Sequence, residues 1–152
     1  MNVDQSTGEV TDDAPESMEL VPLNLAALSE DELLAVLPTP VQAAGALIRA
    51  RETNARAPRA LSRYRGILRK AQRDKKVALG RAVKDLRAEF PRATLTELRE
   101  LAYGADERVI AALDAEDDAW LAFEYAKDFA AAIQEDIEIL RSLNANFRGE
   151  HR

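Results

Sequence analysis

Apolar residues recur along most of this chain at intervals of three and four, the spacing that places side chains on one face of an α-helix. The clearest example covers residues 61–90, where a helical projection puts apolar side chains on one side and Lys and Arg on the other. Loop signals at residues 54–58 precede this stretch, and Pro91 follows it. The pattern therefore predicts a long basic helix from about residue 59 to residue 90.

Two shorter helices are predicted ahead of the basic helix. Ser29 and Glu32 have the spacing of a capping box, in which each residue satisfies a backbone N–H of the other. Thr39 followed by Pro40 gives a second start signal, a capping residue before a proline at the first helical position. This second helix is expected to end near residue 54, before the loop signals that separate it from the basic helix.

Two further helices are predicted after Pro91. Either Thr94 or Thr96 begins a short helix that Gly104 closes, and Thr94 again has capping-box spacing with Glu97. From about residue 106 to residue 147, seam positions alternate at spacings of three and four for more than five heptads, and nearly all of them are apolar. This pattern predicts a long helix with a coiled-coil seam.

Together these elements predict an all-α fold in which the basic helix and the last helix pair as a long antiparallel hairpin, with short N-terminal helices. Such a hairpin leaves apolar surface uncovered, so we expect a homo-oligomer that forms through the C-terminal helix. Asn144 has two interpretations, a buried asparagine that fixes register or a frayed helix end. The seam residues assigned to this contact are Phe123, Ala126, Ala130, Ile133, Ile137, Leu140, Asn144 and Phe147.

Composition separates a tail from the helical domain and offers no catalytic group. Residues 1–24 are acidic and lack an apolar period, so a disordered tail is expected there, followed by a single domain over residues 25–152. The chain has no cysteine, and its one histidine, His151, is next to the last residue. The acids at 116–118 point about 100° apart on a helix and cannot converge on one metal. We therefore expect no enzymatic activity, no cofactor and no metal.

Charge is distributed in three blocks that the net charge of −6 conceals. Residues 1–48 contain nine Asp/Glu and no Lys or Arg, residues 49–99 contain sixteen Lys/Arg against five Asp/Glu, and residues 100–152 contain five Lys/Arg against thirteen Asp/Glu. A basic centre between acidic flanks indicates an anion-binding module, with nucleic acid as the candidate polyanion. The alternative is that the basic helix pairs with acidic helices of its own or a neighbouring subunit.

The basic helix supplies the candidate nucleic-acid-binding residues. Cations that neutralise phosphates release counterions, so binding should depend strongly on salt and little on base sequence. Gly66 and Gly80 lie on the same face, either by chance or because a phosphate or a helix approaches the backbone there. No aromatic cluster adjoins the basic residues along the sequence, and Tyr64 lies on the apolar side. The candidate residues are Arg63, Arg65, Arg69, Lys70, Arg73, Lys76, Arg81, Lys84 and Arg87.

One segment of the basic helix resembles a known family. Residues 71–79, AQRDKKVAL, resemble the AQKKVALKAR stretch of the UvsY-type recombination mediators of tailed phages, with KKVAL in common. The layout that follows is also similar over about residues 60–150, with a loop-rich connector and a long helix that contains Trp120. The family's cations after this run correspond to Gly80 and Ala82, so neighbouring cations of this chain would have to replace them.

The resemblance implies a small helical protein that forms a ring-like homo-oligomer through its C-terminal helix. Proteins of this family bind single-stranded DNA without sequence preference and help to load a recombinase onto strands covered by single-strand-binding protein. We therefore expect a non-enzymatic, single-stranded DNA-binding accessory protein of recombination or replication. A recombinase or a single-strand-binding protein is a candidate partner, and no membrane is expected. The expected location is the cytoplasm, that of the host cell if a phage encodes the protein.

The alternative hypothesis is a phage-type structural or adaptor protein whose basic helix pairs with acidic helices. The two hypotheses differ in where the carboxylates of the last helix lie. If many of these carboxylates faced the cations of the basic helix, the pairing hypothesis would be favoured. The carboxylates in question are Glu107, Asp114, Asp117, Asp118, Asp128, Glu135, Asp136 and Glu138.

Overall fold

A computed structural model describes residues 20–150 of the chain. A short 3₁₀ turn, Leu25–Ala27, precedes four helices. These are α1 (Glu30–Val36), α2 (Pro40–Glu89), α3 (Leu95–Ala105) and α4 (Glu107–Glu150). No strand occurs between residues 20 and 150, which confirms the predicted all-α class.

The helices α2 and α4 form an antiparallel hairpin, and α3 lies in the connection between them. The contacts between the two helices show that they are antiparallel. As residue numbers increase along α2, the residue numbers of the contacting partners on α4 decrease. Gln134 donates to the side-chain oxygen of Asn54 at 2.9 Å, and Lys75 lies 2.6 Å from Glu116. Near the closed end, Arg108 lies 2.8 Å from Asp85. The predicted hairpin is confirmed.

The main core of the hairpin combines small side chains on α2 with larger ones on α4. Alanine at the contact lets the two backbones approach closely, and the aliphatic side chains of α4 fill the space that remains. Leu20, Leu25 and Leu37 cover one end of this core. The buried helix residues are Ala43, Ala46, Ala50, Ala57 and Ala60 on α2, and Ala126, Ile133, Ile137, Leu140 and Leu143 on α4.

A smaller core closes the other end of the hairpin, where α3 packs against both long helices. Ala82 of α2, Ala102 of α3 and Val109 of α4 are fully buried there, and Leu79 and Leu113 pack against them. This cluster fixes the turn from α2 through α3 to α4. Because both ends are packed, the exposed middle of α2 is held on a rigid support.

A buried carboxylate anchors the N-terminal segment to the hairpin. Asp136 of α4 is 1% exposed and accepts hydrogen bonds from the backbone N–H groups of Leu23 and Leu25, at 2.7 and 2.8 Å. Leu20 is 5% exposed. The prediction of disorder is therefore wrong for residues 20–24, because this carboxylate and the apolar contacts hold them. The remainder of the predicted tail, and His151, lie outside the described residues.

The predicted helix starts are confirmed by cap geometry. Ser29 and Glu32 form a capping box at α1, and Thr94 and Glu97 form another at α3. At α2 the side chain of Thr39 accepts from a backbone N–H in the first turn, with proline at the first helical position. Local sequence chemistry thus decides where these three helices begin.

The predicted break between residues 54 and 58 is wrong, because α2 is continuous across Pro58. A proline inside a helix removes one hydrogen bond and costs about 3 kcal/mol. Here its ring is exposed, so it does not disturb the contact with α4. Ala50, Ala57 and Ala60 are buried on both sides of it, and this continuous packing offsets the local cost.

Candidate nucleic-acid interface

A row of cations follows the side of α2 that faces away from α4, which we call the outer face of α2. The members lie close to one line along the helix, because successive members are separated by three, four or eight residues, which is about one or two turns. Buried Ala71 and Ala82 lie two residues from Arg69 and Lys84, a step of about 200° around the helix. The row consists of Arg69, Arg73, Lys76, Lys84 and Arg87, with Arg81 beside it.

Most of these cations are open to solvent and have no acidic partner. Arg69, Arg73, Lys76, Arg81 and Lys84 are exposed, and no carboxylate of residues 20–150 lies within 4 Å of their charged groups. They span about 22 Å along the helix axis, at 1.5 Å per residue. A charged row of this length can contact several phosphates of one strand.

The other candidate cations have local partners that reduce their availability. Lys70 forms an exposed ion pair with Asp74 of the same helix at 2.6 Å, and Arg87 donates to the carbonyl oxygen of Ala93. Arg63 is half-buried, with its guanidinium 5.6 Å from the ring centre of Tyr64. These three candidates are therefore less open to a ligand than the five exposed cations.

The carboxylates of α4 do not neutralise the basic row. None of the eight carboxylates named above forms an ion pair with α2 in the part of the chain that the structure describes. The cation of α2 that does pair with α4 is Lys75, whose partner is Glu116. Lys75 lies among the positions that face α4, since it is one turn from buried Ala71. The observation that would favour the pairing hypothesis is therefore missing between residues 20 and 150.

One aromatic side chain of α4, Phe123, lies beside the basic helix, a feature that the sequence analysis missed. The guanidinium of Arg65 lies 5.6 Å from the ring centre of Phe123, and Lys127 lies 5.4 Å from the same ring on α4. Trp120, one turn before Phe123, is 51% exposed. Arg65 and Phe123 are far apart in sequence, so no local pattern indicated this contact. The hairpin register brings them together.

The seam assigned to oligomerisation packs inside the chain. Ala126, Ile133, Ile137 and Leu140 are at most 4% exposed in the intramolecular core, and Phe147, Ala130 and Phe123 are half-buried. For Ala126, Ile133, Ile137 and Leu140 the assignment to a contact between subunits is wrong, because α2 takes the place of the expected partner helix. For Phe123, Ala130, Asn144 and Phe147 it stays a prediction, as does the formation of an oligomer.

The structure decides one of the two interpretations of Asn144. The helix α4 continues past it to Glu150, so it does not mark a frayed end. Its side-chain amide donates to the carbonyl oxygen of Leu140 at 2.8 Å. A role of this half-buried side chain in fixing the register of an oligomer stays a prediction.

Packing within the chain does not require the two glycines of the basic face. A methyl group added at Gly66 or Gly80 would meet no atom within 4 Å. The hypothesis that another helix of this chain approaches the backbone there is therefore wrong for the described fold. Approach by a ligand stays a prediction.

A charged cluster fixes the start of α4 at the closed end of the hairpin. Asp106 accepts hydrogen bonds from the backbone N–H of Arg108 at 3.0 Å and from its guanidinium at 2.8 Å. The hydrogen bond from the Arg108 side chain lowers the pKa of the Asp106 carboxyl. The contribution of Asp106 to the free energy of unfolding is fully present above the pKa that its carboxyl has in the unfolded chain. It is lost as the pH falls through the lowered pKa of the folded chain. Because Arg108 also binds Asp85, its charge is not directed at a ligand.

The described residues contain no group of three or more His, Cys, Asp or Glu side chains that could hold a metal ion. Between residues 20 and 150, no single helix is both long and apolar enough to cross a bilayer. The bent pair of α1 and α2 is long and apolar enough when the two helices are taken together.

Comparison with protein-family models, with curated proteins and with solved structures finds no match for this chain. The site must therefore be interpreted from its own geometry and charge.

Proposed function

We propose that this chain is a non-enzymatic accessory protein that binds single-stranded nucleic acid through the outer face of α2. The observation that carries the proposal is the row of exposed cations that have no acidic partner between residues 20 and 150, namely Arg69, Arg73, Lys76, Arg81 and Lys84. A rigid helix displays this row on the side opposite its packing contact. A polyanion is the ligand whose charge matches such a row.

Phosphate contacts supply the affinity in this proposal. Each Lys or Arg that neutralises a phosphate releases condensed counterions, which makes binding weaken steeply as salt rises. These cations contact the strand backbone, so one base sequence is bound about as well as another. A surface of this kind suits a protein that must coat or hand over a strand of any sequence.

The resemblance to UvsY-type mediators supports a more specific role. It extends over about residues 60–150 and includes the KKVAL run within the basic helix. On this basis the strand is single-stranded DNA, the process is recombination or replication, and the working form is a homo-oligomer. A recombinase or a single-strand-binding protein is then the protein partner. Several subunits in one oligomer would multiply the phosphate contacts.

Fluorescence anisotropy of a labelled oligo-dT, titrated at several salt concentrations, tests the proposal. The wild-type chain is compared with a variant in which all five exposed cations are replaced by Gln, which keeps helix propensity and removes charge. We expect micromolar or tighter binding at low salt for the wild type. Five phosphate contacts predict a slope of log K against log salt of about −3.5 for a single strand.

The five-Gln variant should show a much weaker salt dependence and little binding. Circular dichroism of both proteins checks that the helices remain formed. A folded wild type that binds no oligonucleotide at low salt would contradict the proposal. A partner protein with an acidic surface would then become the ligand to look for.

A further inference from the structure

One flank of the hairpin, where α2 and α4 meet, carries aromatic side chains next to cations. Trp120, Phe123 and Lys127 follow one another at intervals of three and four, so they form a single stripe along α4. Arg65 of α2 lies over the Phe123 ring at 5.6 Å, which places this stripe against the basic helix. Trp120 is the exposed aromatic side chain of this stripe, at 51%.

The register of the hairpin brings Trp120 level with Arg69. The pair Arg65 and Phe123 and the pair Lys75 and Glu116 fix two points of contact between the helices. Trp120 lies between Glu116 and Phe123, so it is level with the middle of the α2 segment from 65 to 75. Arg69 lies in that segment, one turn from Arg65, on the outer face of α2 next to this flank.

Some of the carboxylates close to Trp120 in sequence are neutralised within the chain. Two nearby carboxylates are already paired, Glu116 with Lys75 at 2.6 Å and Glu124 with Lys127 at 3.1 Å. Asp117 and Asp118 are exposed on this part of α4 and form no ion pair with a residue between 20 and 150. On α2, Arg69 has no carboxylate of residues 20–150 within 4 Å.

We propose that Trp120 is a stacking platform for an unpaired base of the strand whose phosphates lie on Arg65, Arg69 and the outer face of α2. This proposal rests on the proposed function and adds a base-binding residue to it. A strand that follows the cations along this flank passes beside the indole ring. The ring offers a flat apolar surface that accepts any base, and stacking of this kind is tolerant of sequence.

The consequence of stacking at Trp120 is a preference for single strands. Bases in a duplex are stacked on each other and paired, so they cannot reach an aromatic side chain on the protein without being separated. A protein that made phosphate contacts alone would bind duplex and single-stranded nucleic acid in a similar way, because both present phosphates to the cations. Discrimination between the two forms therefore depends on the aromatic flank rather than on the basic row.

Intrinsic fluorescence tests the proposal directly, because Trp120 is the only tryptophan of the chain. Unlabelled oligo-dT should quench its emission, whereas an abasic strand of equal length should bind by its phosphates and quench much less. Trp120→Ala should weaken binding of oligo-dT by roughly 5- to 100-fold, the range found for loss of one stacked base. Trp120→Phe should retain most of the affinity, and the preference over duplex should shrink in Trp120→Ala alone.

Tyr125→Ala is the matched control. Tyr125 is 59% exposed and contacts Phe129 of its own helix, and it lies about 140° around α4 from Trp120. This variant should bind like the wild type. Anisotropy of labelled strands is measured in parallel, so that loss of binding and loss of stacking are separate results.

Binding detected by anisotropy with unchanged tryptophan emission, and with Trp120→Ala equal to the wild type, would overturn the stacking proposal and leave the proposed function intact. No binding by either method would end both. Sedimentation without nucleic acid gives the third arm. If Trp120→Ala dissociates an oligomer and loses no affinity for the strand, the residue is a subunit contact and the stacking proposal is wrong.

Discussion

The outer faces of α2 and α4 are built alike and charged oppositely. Both helices turn alanine or aliphatic side chains inward and charged side chains outward. The outer face of α2 carries the exposed basic row. The outer face of α4, the side that faces away from α2, carries Asp114, Asp118, Asp128 and Glu135, all exposed. An antiparallel hairpin thus converts charge blocks along the sequence into two faces of opposite sign.

The difference between the two faces means that positive and negative charge are separated across the hairpin. A polyanion is attracted to the α2 side and repelled from the α4 side, so electrostatics alone orient the encounter. The separation also explains why the net charge is a poor guide to function here. A chain with a net charge of −6 still presents a row of exposed cations on one face of α2.

Neutralising the two outer faces should have opposite effects on binding to a single-stranded oligonucleotide. At about 50 mM salt, Gln at the five exposed cations of α2 should weaken binding by about 10³-fold, because the phosphate contacts are lost. Replacing Asp114, Asp118 and Asp128 by Asn and Glu135 by Gln should leave binding unchanged or strengthen it by up to about tenfold. The reason is that repulsion between these carboxylates and the strand phosphates is removed. Anisotropy titrations of the two variants, side by side, measure the difference.

Equal weakening in both variants would break the comparison, because it would mean that charge position does not matter. Circular dichroism and thermal unfolding of each variant serve as controls for folding. A result in which the α4 variant loses more affinity than the α2 variant would place the ligand on the acidic face.

Inner and outer carboxylates of α4 should differ in their effect on stability. Asp136→Asn should lower the free energy of unfolding by about 1–3 kcal/mol, because an amide offers one acceptor where the N–H groups of Leu23 and Leu25 need two. Its neighbour Glu135 is exposed, and Glu135→Gln should change stability by less than about 0.5 kcal/mol. Urea unfolding followed by circular dichroism compares the two.

A similar small change in both variants would show that the anchored N-terminal segment adds little to the stability of the hairpin. In that case limited proteolysis should cut near residues 20–25 of the wild type as readily as in Asp136→Asn. Strong protection of the wild type alone would support the anchoring role of this carboxylate.

Much of the fold follows from local chemistry in the sequence, and the exceptions have physical reasons. The caps at Ser29, Thr39 and Thr94 act within one helical turn, so their residues are enough to locate the helix starts. Pro58 misled because its local cost is outweighed by packing against α4 on both sides. A sequence pattern reports the local cost of a proline in a helix, but it does not report the stabilisation from packing against another helix.

The candidate site shows the same division. The basic row is a periodic feature of one helix, so the sequence located it correctly on one face of α2. The contact of Arg65 with Phe123 depends on the register between two helices, which no repeat within either helix determines. The roles of Trp120 and Asp136 belong to this second kind, since each depends on what the hairpin brings beside it.

The glycines on the outer face of α2 offer a test of whether the ligand needs the backbone itself. Gly66→Ala and Gly80→Ala should each raise the free energy of unfolding by about 0.5–1 kcal/mol, because alanine favours the helix and its methyl group meets no atom. Affinity for oligo-dT should stay within about twofold, since the neighbouring cations keep their reach. Thermal unfolding and anisotropy measure the two effects. Raised stability together with a tenfold loss of affinity would identify the glycines as points of close approach by the strand.

Lys75 and Glu116 form the pair in which a cation of α2 meets a carboxylate of α4. Both side chains are partly buried, with 28% and 20% exposed, so the attraction is screened less than at the surface and each charge has lost some hydration. A double-mutant cycle with Lys75→Gln and Glu116→Gln should give a coupling free energy of about 0.5–1 kcal/mol. Oligonucleotide affinity should not change, because Lys75 faces α4 and not the outer face. A coupling of several kcal/mol, or a loss of binding on removing Lys75, would revive the hypothesis that pairing between the helices, rather than a ligand, accounts for the basic charge of α2.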